Sequence, residues 1–168
     1  MKIKTKDLVY MAFYAALFMV LDYLTNMLGF LQMPKGGSVG LSTIALLACS
    51  YHLGWKKGVL VGIVSVMIQF VTGPMYIPDM LGFCMDYLIA FSVYGLASLF
   101  PNYGYVYFGV LVTNGIRFLS HTIGGIIVWE VDPWGSVVYN APYMAATCVL
   151  GLVLMPFINE RVIKKLKD

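Results

Sequence analysis

The chain has 168 residues, of which 60% are hydrophobic and 11% are charged, and its mean hydropathy is +0.82. A water-soluble domain of this size has about a quarter of its residues charged. The composition therefore excludes a water-soluble domain and predicts an integral membrane protein in contact with lipid. The net charge of +3 does not indicate a nucleic-acid-binding protein, because the basic residues flank apolar segments, as they do in membrane proteins.

Glycine, proline and charged residues divide the chain into six apolar segments. They predict helices at about 7–28, 41–53, 58–71, 78–100, 105–128 and 139–163. A helix that crosses the bilayer core needs roughly 20 residues, and the second and third segments are shorter than that. We predict an all-α fold, a polytopic membrane protein with a six-transmembrane-helix bundle, in one integral membrane domain over residues 1–168. Four spans plus a re-entrant hairpin are the alternative.

An even number of spans places both termini on the same side of the membrane. Most basic residues then share that side, which the positive-inside rule assigns to the cytoplasm of a multi-pass plasma-membrane protein. These residues are Lys2, Lys4, Lys6, Lys56, Lys57, Arg161, Lys164, Lys165 and Lys167. The outer face is predicted to carry the connections at about 29–40, 72–78 and 129–138.

Ionisable residues occur inside two predicted spans. Arg117, His121 and Gly125 recur at intervals of four and therefore share one face of the fifth helix. Asp86, followed by Tyr87, lies about two turns into the fourth helix from the outer side. One interpretation is a structural ion pair between Asp86 and Arg117. The other is an outward-facing ligand pocket lined by Asp86 and His121, since ionisable groups within a membrane commonly mark functional sites.

Trp129 stands two helical turns beyond His121 on roughly the same face. An interfacial aromatic belt is the ordinary explanation of such a position. An aromatic face beside a carboxylate also suits a flat cationic ligand, which it holds by stacking and cation–π attraction. The sequence leaves both interpretations of Trp129 open.

Small residues at intervals of four mark two helices. Ala12 and Ala16 form such a pair in the first helix, and Gly54, Gly58 and Gly62 repeat the spacing at the third. Because lipid provides no hydrophobic drive for helix association, small residues at this spacing indicate a close helix–helix contact. The contact is either internal or with a partner protein.

The sequence contains no G-x-x-x-x-G-K-[ST] phosphate loop, no H-E-x-x-H or Cys/His metal pattern and no G-x-S-x-G motif. We therefore expect no ATP hydrolysis by this chain, no metal site, no cofactor and no enzymatic activity. Its three cysteines lie in separate apolar segments and are interpreted as small core residues.

Four groups of residues together resemble one family. They are Pro34-Lys35-Gly36-Gly37-Ser38-Val39-Gly40-Leu41-Ser42; Asp86-Tyr87 with Ala90-Phe91; Arg117-Phe118 with His121, Gly125 and Trp129; and Tyr139-Asn140. In this order and over nearly the whole chain, they resemble the thiamine-specific substrate-binding subunits (S components) of energy-coupling-factor transporters.

The resemblance implies a six-helix membrane protein that captures thiamine outside the cell. It also implies that the chain functions together with a transmembrane coupling subunit and two cytoplasmic ATPases. The chain would dock on the coupling subunit through Ala12 and Ala16. The substrate-binding residues that it implies are Asp86, Tyr87, His121, Gly125, Trp129, Asn140, Tyr76, Trp134 and Tyr139. Thiamine is a cation with two flat rings, so a carboxylate and aromatic faces suit it, and a neutral His121 would avoid repulsion beside the positive ring.

The chain departs from the family pattern in three places. Lys35 replaces a usual glutamine, Leu88 a common proline, and Gly135 a tyrosine whose space Trp134 is expected to fill. A thiamine precursor such as the isolated aminopyrimidine therefore stays an alternative ligand. The alternative functions are a self-sufficient facilitator and a membrane enzyme that uses Asp86 and His121 as an acid–base pair.

Overall fold

The computed structural model describes residues 3–29, 32–33, 37–72 and 75–167. They form six helices: α1 Thr5–Met27, α2 Thr43–Leu53, α3 Trp55–Thr72, α4 Met80–Leu99, α5 Phe108–Ile127 and α6 Pro133–Lys167. An antiparallel ribbon of β1 (Asn102–Tyr103) and β2 (Val106–Tyr107) joins α4 to α5. The predicted all-α six-helix bundle is confirmed. Of the predicted loop motif, Pro34, Lys35 and Gly36 lie outside the described residues.

Contacts between distant parts of the chain place the start of α1, the junction of α2 and α3 and the end of α6 at one end of the bundle. The Lys57 ammonium lies 2.9 Å from the Asp7 carboxylate, and Lys167 donates a hydrogen bond to the Tyr51 carbonyl at 2.8 Å. We call this the basic end of the bundle. The far end is the opposite one, where α1, α3 and α5 finish and α4 and α6 begin.

The shortest helix, α2, forms the centre of the bundle. Every residue from Thr43 to Tyr51 is buried, whereas α1, α4, α5 and α6 are long and apolar enough to cross a membrane and expose apolar faces. A helix of 11 residues is about 16 Å long, roughly half the thickness of the bilayer core. Because surrounding helices cover α2, it does not need the length of a lipid-exposed span.

Glycines allow α3 and α4 to cross at very short distance. A Cβ built at Gly58 would lie 2.9 Å from the Gly95 Cα, and one built at Gly62 would lie 2.7 Å from the Ser92 Cα. In the other direction, a Cβ at Gly95 would overlap the Val59 backbone. Gly54 has a different role, since its φ of +87° lets it end α2 and turn the chain into α3. The spacing in the third helix therefore serves packing within the chain.

Helix α6 begins at Pro133, earlier than the sequence pattern predicts. Asp132 caps it, because its side chain accepts a hydrogen bond from the Gly135 amide at 2.9 Å, and proline is favoured at a first helical position. Trp134 and Tyr139 consequently lie on a helix, and the connection predicted at about 129–138 ends at Asp132. Helix α5 begins at Phe108, later than predicted, because the preceding residues form the ribbon.

The crossing of α3 and α4 predicts the effect of a single methyl group. We expect Gly95→Ala to lower the stability of the purified protein by about 1–3 kcal/mol, because the added carbon must push two backbones apart. Thermal unfolding in detergent measures this. Gly115→Ala is the matched control, since nothing lies within 4 Å of a Cβ there and alanine favours the helix. Equal melting temperatures for the two variants would contradict the close crossing.

Candidate ligand-binding site

The candidate site is built around a π-helical turn in α4. Cys84–Ile89 has this wider winding, which is rare and often occurs at functional positions. The Ser120 hydroxyl of α5 donates to the Met85 carbonyl within this turn at 2.7 Å. The bond fixes the turn to the neighbouring helix and directs Asp86, the next residue, toward α5.

Two N–H donors hold the Asp86 carboxylate in place. Its Oδ1 lies 3.0 Å from His121 Nδ1, and its Oδ2 accepts from Trp129 Nε1 at 3.1 Å. Gly124 provides the room for this approach, because a Cβ there would lie 3.0 Å from the Asp86 oxygen. Both oxygens act as acceptors, which is the pattern of an ionised carboxylate.

The hydrogen bonds of His121 define its tautomer. Arg117 Nε donates to His121 Nε2 at 3.3 Å, and because a guanidinium has only donors, Nε2 must accept. The proton of the imidazole is therefore on Nδ1, which donates to Asp86. His121 is neutral in this arrangement and its contact with Asp86 is a hydrogen bond.

Arg117 lies deeper than His121 and is 4% exposed. Its guanidinium carbon is 4.7 Å from the centre of the Phe91 ring, and one terminal nitrogen donates to the Tyr94 hydroxyl at 3.4 Å. That hydroxyl in turn donates to Asn114 at 2.9 Å. Among the described residues the ion pairs include no direct Arg117–Asp86 contact, because His121 lies between the two groups.

The segment at residues 37–42, which precedes α2, runs against α6 beside these groups. The Gly37 amide donates to the Tyr139 hydroxyl at 3.1 Å, and the Gly40 amide donates to Thr147 at 2.9 Å. A Cβ at Gly37 would lie 2.8 Å from the Tyr143 ring, and one at Gly40 would lie 2.8 Å from a nitrogen of Arg117. The two glycines thus let the segment lie on the wall of the site.

The side of the site on α6 is a hydrogen-bonded row. Asn140 donates to the Ser136 carbonyl at 2.8 Å and accepts from the Tyr143 hydroxyl. The Tyr143 ring in turn contacts His121 edge-on, with ring centres 6.4 Å apart. Gly125 lies directly against the Ser136 side chain, so in this arrangement it gives α5 and α6 a close approach. Asn140 and Tyr143 carry the row toward His121.

The remaining predicted residues lie farther toward the surface. Tyr87 stacks on Phe83 with ring centres 6.4 Å apart, and its hydroxyl accepts from the backbone amide of Tyr76 at 2.8 Å. The Tyr76 side chain is exposed. Trp129 is 45% exposed, and Trp134, in the first turn of α6, is 74% exposed. The structure brings Trp129 to Asp86, while it places Trp134 on the surface of α6.

Sequence reasoning missed two residues near the site. Tyr143 is buried between His121 and Tyr139, and its position four residues beyond Tyr139 was an available signal. Asp22 of α1 accepts from Ser42 at 3.2 Å and from Gln69 at 3.3 Å. As an acid within an apolar helix, Asp22 could have been selected by the rule that identified Asp86. Within the described ranges, no group of three or more His, Cys, Asp or Glu side chains is placed to hold a metal ion.

Residues 8–167 match the family model described as thiamine transporter protein (Thia_YuaJ). The chain belongs to this family. It is 26% identical over 181 aligned residues to the thiamine transporter ThiT of Bacillus subtilis, covering 94% of this chain and 93% of that protein. The solved structure of ThiT from Listeria monocytogenes superposes with a TM-score of 0.66 at 18% identity, covering 95% of this chain and 93% of that one.

The family match confirms the resemblance found in the sequence motifs, and the Listeria structure confirms the fold. Together with the four helices that are long and apolar enough to cross a bilayer, they identify a multi-pass protein of the cell membrane. The family is one of transporters, which is consistent with a chain that is not an enzyme.

Proposed function

We propose that this chain captures thiamine from outside the cell and passes it to a separate ATP-driven coupling module. Membership of the thiamine transporter family supports the ligand. The observation that carries the proposal is the Asp86 carboxylate, which is held beside the indole of Trp129 and a neutral imidazole. A monocation with two flat rings matches a fixed negative charge with aromatic surfaces next to it.

In this proposal the far end of the bundle faces outward, because the basic end carries the lysines that the positive-inside rule assigns to the cytoplasm. Asp86 neutralises the ligand, Trp129 and His121 contact its rings, and Asn140 with Tyr139 orients it from α6. Tyr87 and Tyr76 line the entrance, and Trp134 lies outermost on the same side. Gly125 allows the approach of α5 and α6 that forms the wall.

The geometry disfavours the alternative in which Asp86 and His121 act as an acid–base pair. A catalytic base needs a free nitrogen within reach of the substrate. His121 Nδ1 donates to Asp86 and Nε2 accepts from Arg117, so both nitrogens are already engaged. A binding role needs no such nitrogen, because the imidazole face is what the ligand contacts.

The proposed partners are a transmembrane coupling subunit and two cytoplasmic ATPases. Ala12 and Ala16 lie on an exposed face of α1, whereas Ala15 is buried. Small side chains on an exposed helix face permit close approach of a partner helix, and both alanines lie away from Asp86 toward the basic end. Docking and ligand capture are therefore separated along the chain.

Replacement of the carboxylate should discriminate charge from shape. We expect Asp86→Asn to weaken thiamine binding by tenfold or more, since a hydrogen bond to a charged group contributes roughly 1.5–3 kcal/mol. Binding of a neutral analogue, in which an uncharged ring replaces the thiazolium, should weaken much less. Equilibrium titration of both ligands measures this, and an equal loss for both would show that Asp86 acts only through the fold.

Trp129 should report binding by fluorescence. We expect thiamine to quench the protein's emission, because stacking of a cationic heterocycle on the excited indole gives an efficient quenching route. Trp129→Leu should remove most of the quench, and Trp55→Leu, the matched control at the first residue of α3, should retain it. Undiminished quenching in Trp129→Leu would exclude Trp129 from the site.

A bulky side chain on α1 should separate capture from uptake. We expect Ala16→Trp to abolish thiamine uptake by cells that carry the coupling module, because the indole prevents close approach of the partner helix. Binding to the purified variant should stay within about twofold of the parent protein, since no site residue changes.

Val149→Trp, on the exposed face of α6, is the matched control and should retain both activities. Loss of binding in Ala16→Trp would place the alanines in the internal packing. Uptake by the parent protein in cells without ATPase partners would favour a facilitator.

A further inference from the structure

A second carboxylate, Asp22, is half-buried on α1. It is on α1, a little more than one turn before the end of the helix at Met27, and its Oδ1 accepts from Ser42 and Gln69 at 3.2 and 3.3 Å. Both partners are buried and neutral. An ionised group that leaves water needs a charge of opposite sign, and these hydrogen bonds do not supply one.

Two chains of contacts connect Arg117 to Asp22. Phe18, one turn before Asp22 on α1, meets Phe91 edge-on at 5.4 Å, and Phe91 carries the Arg117 guanidinium on its face at 4.7 Å. On the other side, Gly40 lies against the Arg117 guanidinium, and Ser42, two residues later, bonds Asp22. No direct ion pair joins Arg117 to Asp22 among the described contacts, so an attraction between the two charges acts across the short segment from Gly40 to Ser42.

The two acids and the arginine determine the charge of the site. His121 is neutral, so with both acids ionised the three groups Arg117, Asp22 and Asp86 together carry one positive and two negative charges. We infer that Asp22 is the counter-charge of Arg117 and thereby leaves Asp86 to neutralise a cationic ligand. Without Asp22, the charge of Arg117 would offset that of Asp86 across His121. Arg117 and Asp86 would then be neutral overall before a cationic ligand entered.

This inference rests on the proposed function, and it makes Asp22 a positioning and specificity residue that acts through Arg117. The test is Asp22→Asn, which keeps an acceptor for Ser42 and Gln69 and removes only the charge. We expect affinity for thiamine to fall by roughly tenfold or more, as removal of one nearby charge in a poorly solvated site implies. Affinity for the neutral-ring analogue should change less than about threefold.

The decisive variant is Asp22→Asn combined with Arg117→Gln. It restores one net negative charge, and the Gln amide can still donate to His121, so the preference for thiamine over the neutral analogue should return. Asp79→Asn is the matched control, because it makes the same chemical change at an exposed acid and asparagine still caps α4. Its preference should equal that of the parent protein.

The melting temperatures of the same proteins without added ligand give a second readout. Asp22→Asn should melt at a lower temperature, because it leaves a buried cation uncompensated, and the double variant should recover most of the loss. The role of Asp22 would be overturned if Asp22→Asn lost affinity equally for both ligands. It would also be overturned if the double variant recovered neither the preference for thiamine nor the melting temperature. Failure of the parent protein to bind thiamine would overturn the proposed function, and the melting temperatures would still decide whether Asp22 balances Arg117.

Discussion

The structure of the site depends on the cost of a buried arginine. Arg117 is almost fully removed from solvent in the middle of a membrane helix, where a guanidinium is expensive unless other groups satisfy it. The phenol of Tyr94, the ring of Phe91 and the imidazole of His121 share this task. Because arginine can only donate, its bond to His121 makes Nε2 an acceptor and leaves Nδ1 to donate to Asp86. The buried Arg117 thus determines, through His121, how the Asp86 carboxylate is held.

Backbone features then give that chain of polar groups its space. The π-helical turn at Cys84–Ile89 directs Asp86 toward α5, and the absence of a side chain at Gly124 lets the carboxylate approach. At the far end, Glu130 has a φ of +53°, an uncommon conformation for a residue other than glycine. It directly follows Trp129 in the connection between α5 and α6, where the chain reverses direction. The π-helical turn of α4 and the positive φ of Glu130 both lie near the candidate ligand-binding groups.

Local pattern was sufficient for the parts of the site that lie along one helix. Arg117 and His121 share a face because they are four residues apart, and Asp86 stands out as an acid in an apolar span. Features of the site that depend on tertiary contacts could not be predicted from local sequence patterns. The π-helical turn, the placement of Gly124 rather than Gly125 against Asp86, and the approach of residues 37–42 to α6 all involve elements far apart in sequence. The start of α6 was misplaced because proline and glycine were interpreted as loop residues, although Asp132 and Pro133 form a good helix start.

The hydrogen bonds within the site also bear on what selects a ligand. A carboxylate has about four acceptor positions, and His121 and Trp129 use one on each oxygen of Asp86. A ligand that donates to Asp86 can therefore add to these bonds without displacing them, which keeps the imidazole and indole in the orientation that flat rings require. Hydrogen bonding alone discriminates weakly here, since many heterocycles donate in the plane of their rings. Charge adds discrimination, because an excess of negative charge favours a cation over a neutral molecule of the same shape. On our inference, that excess depends on how Arg117 is balanced.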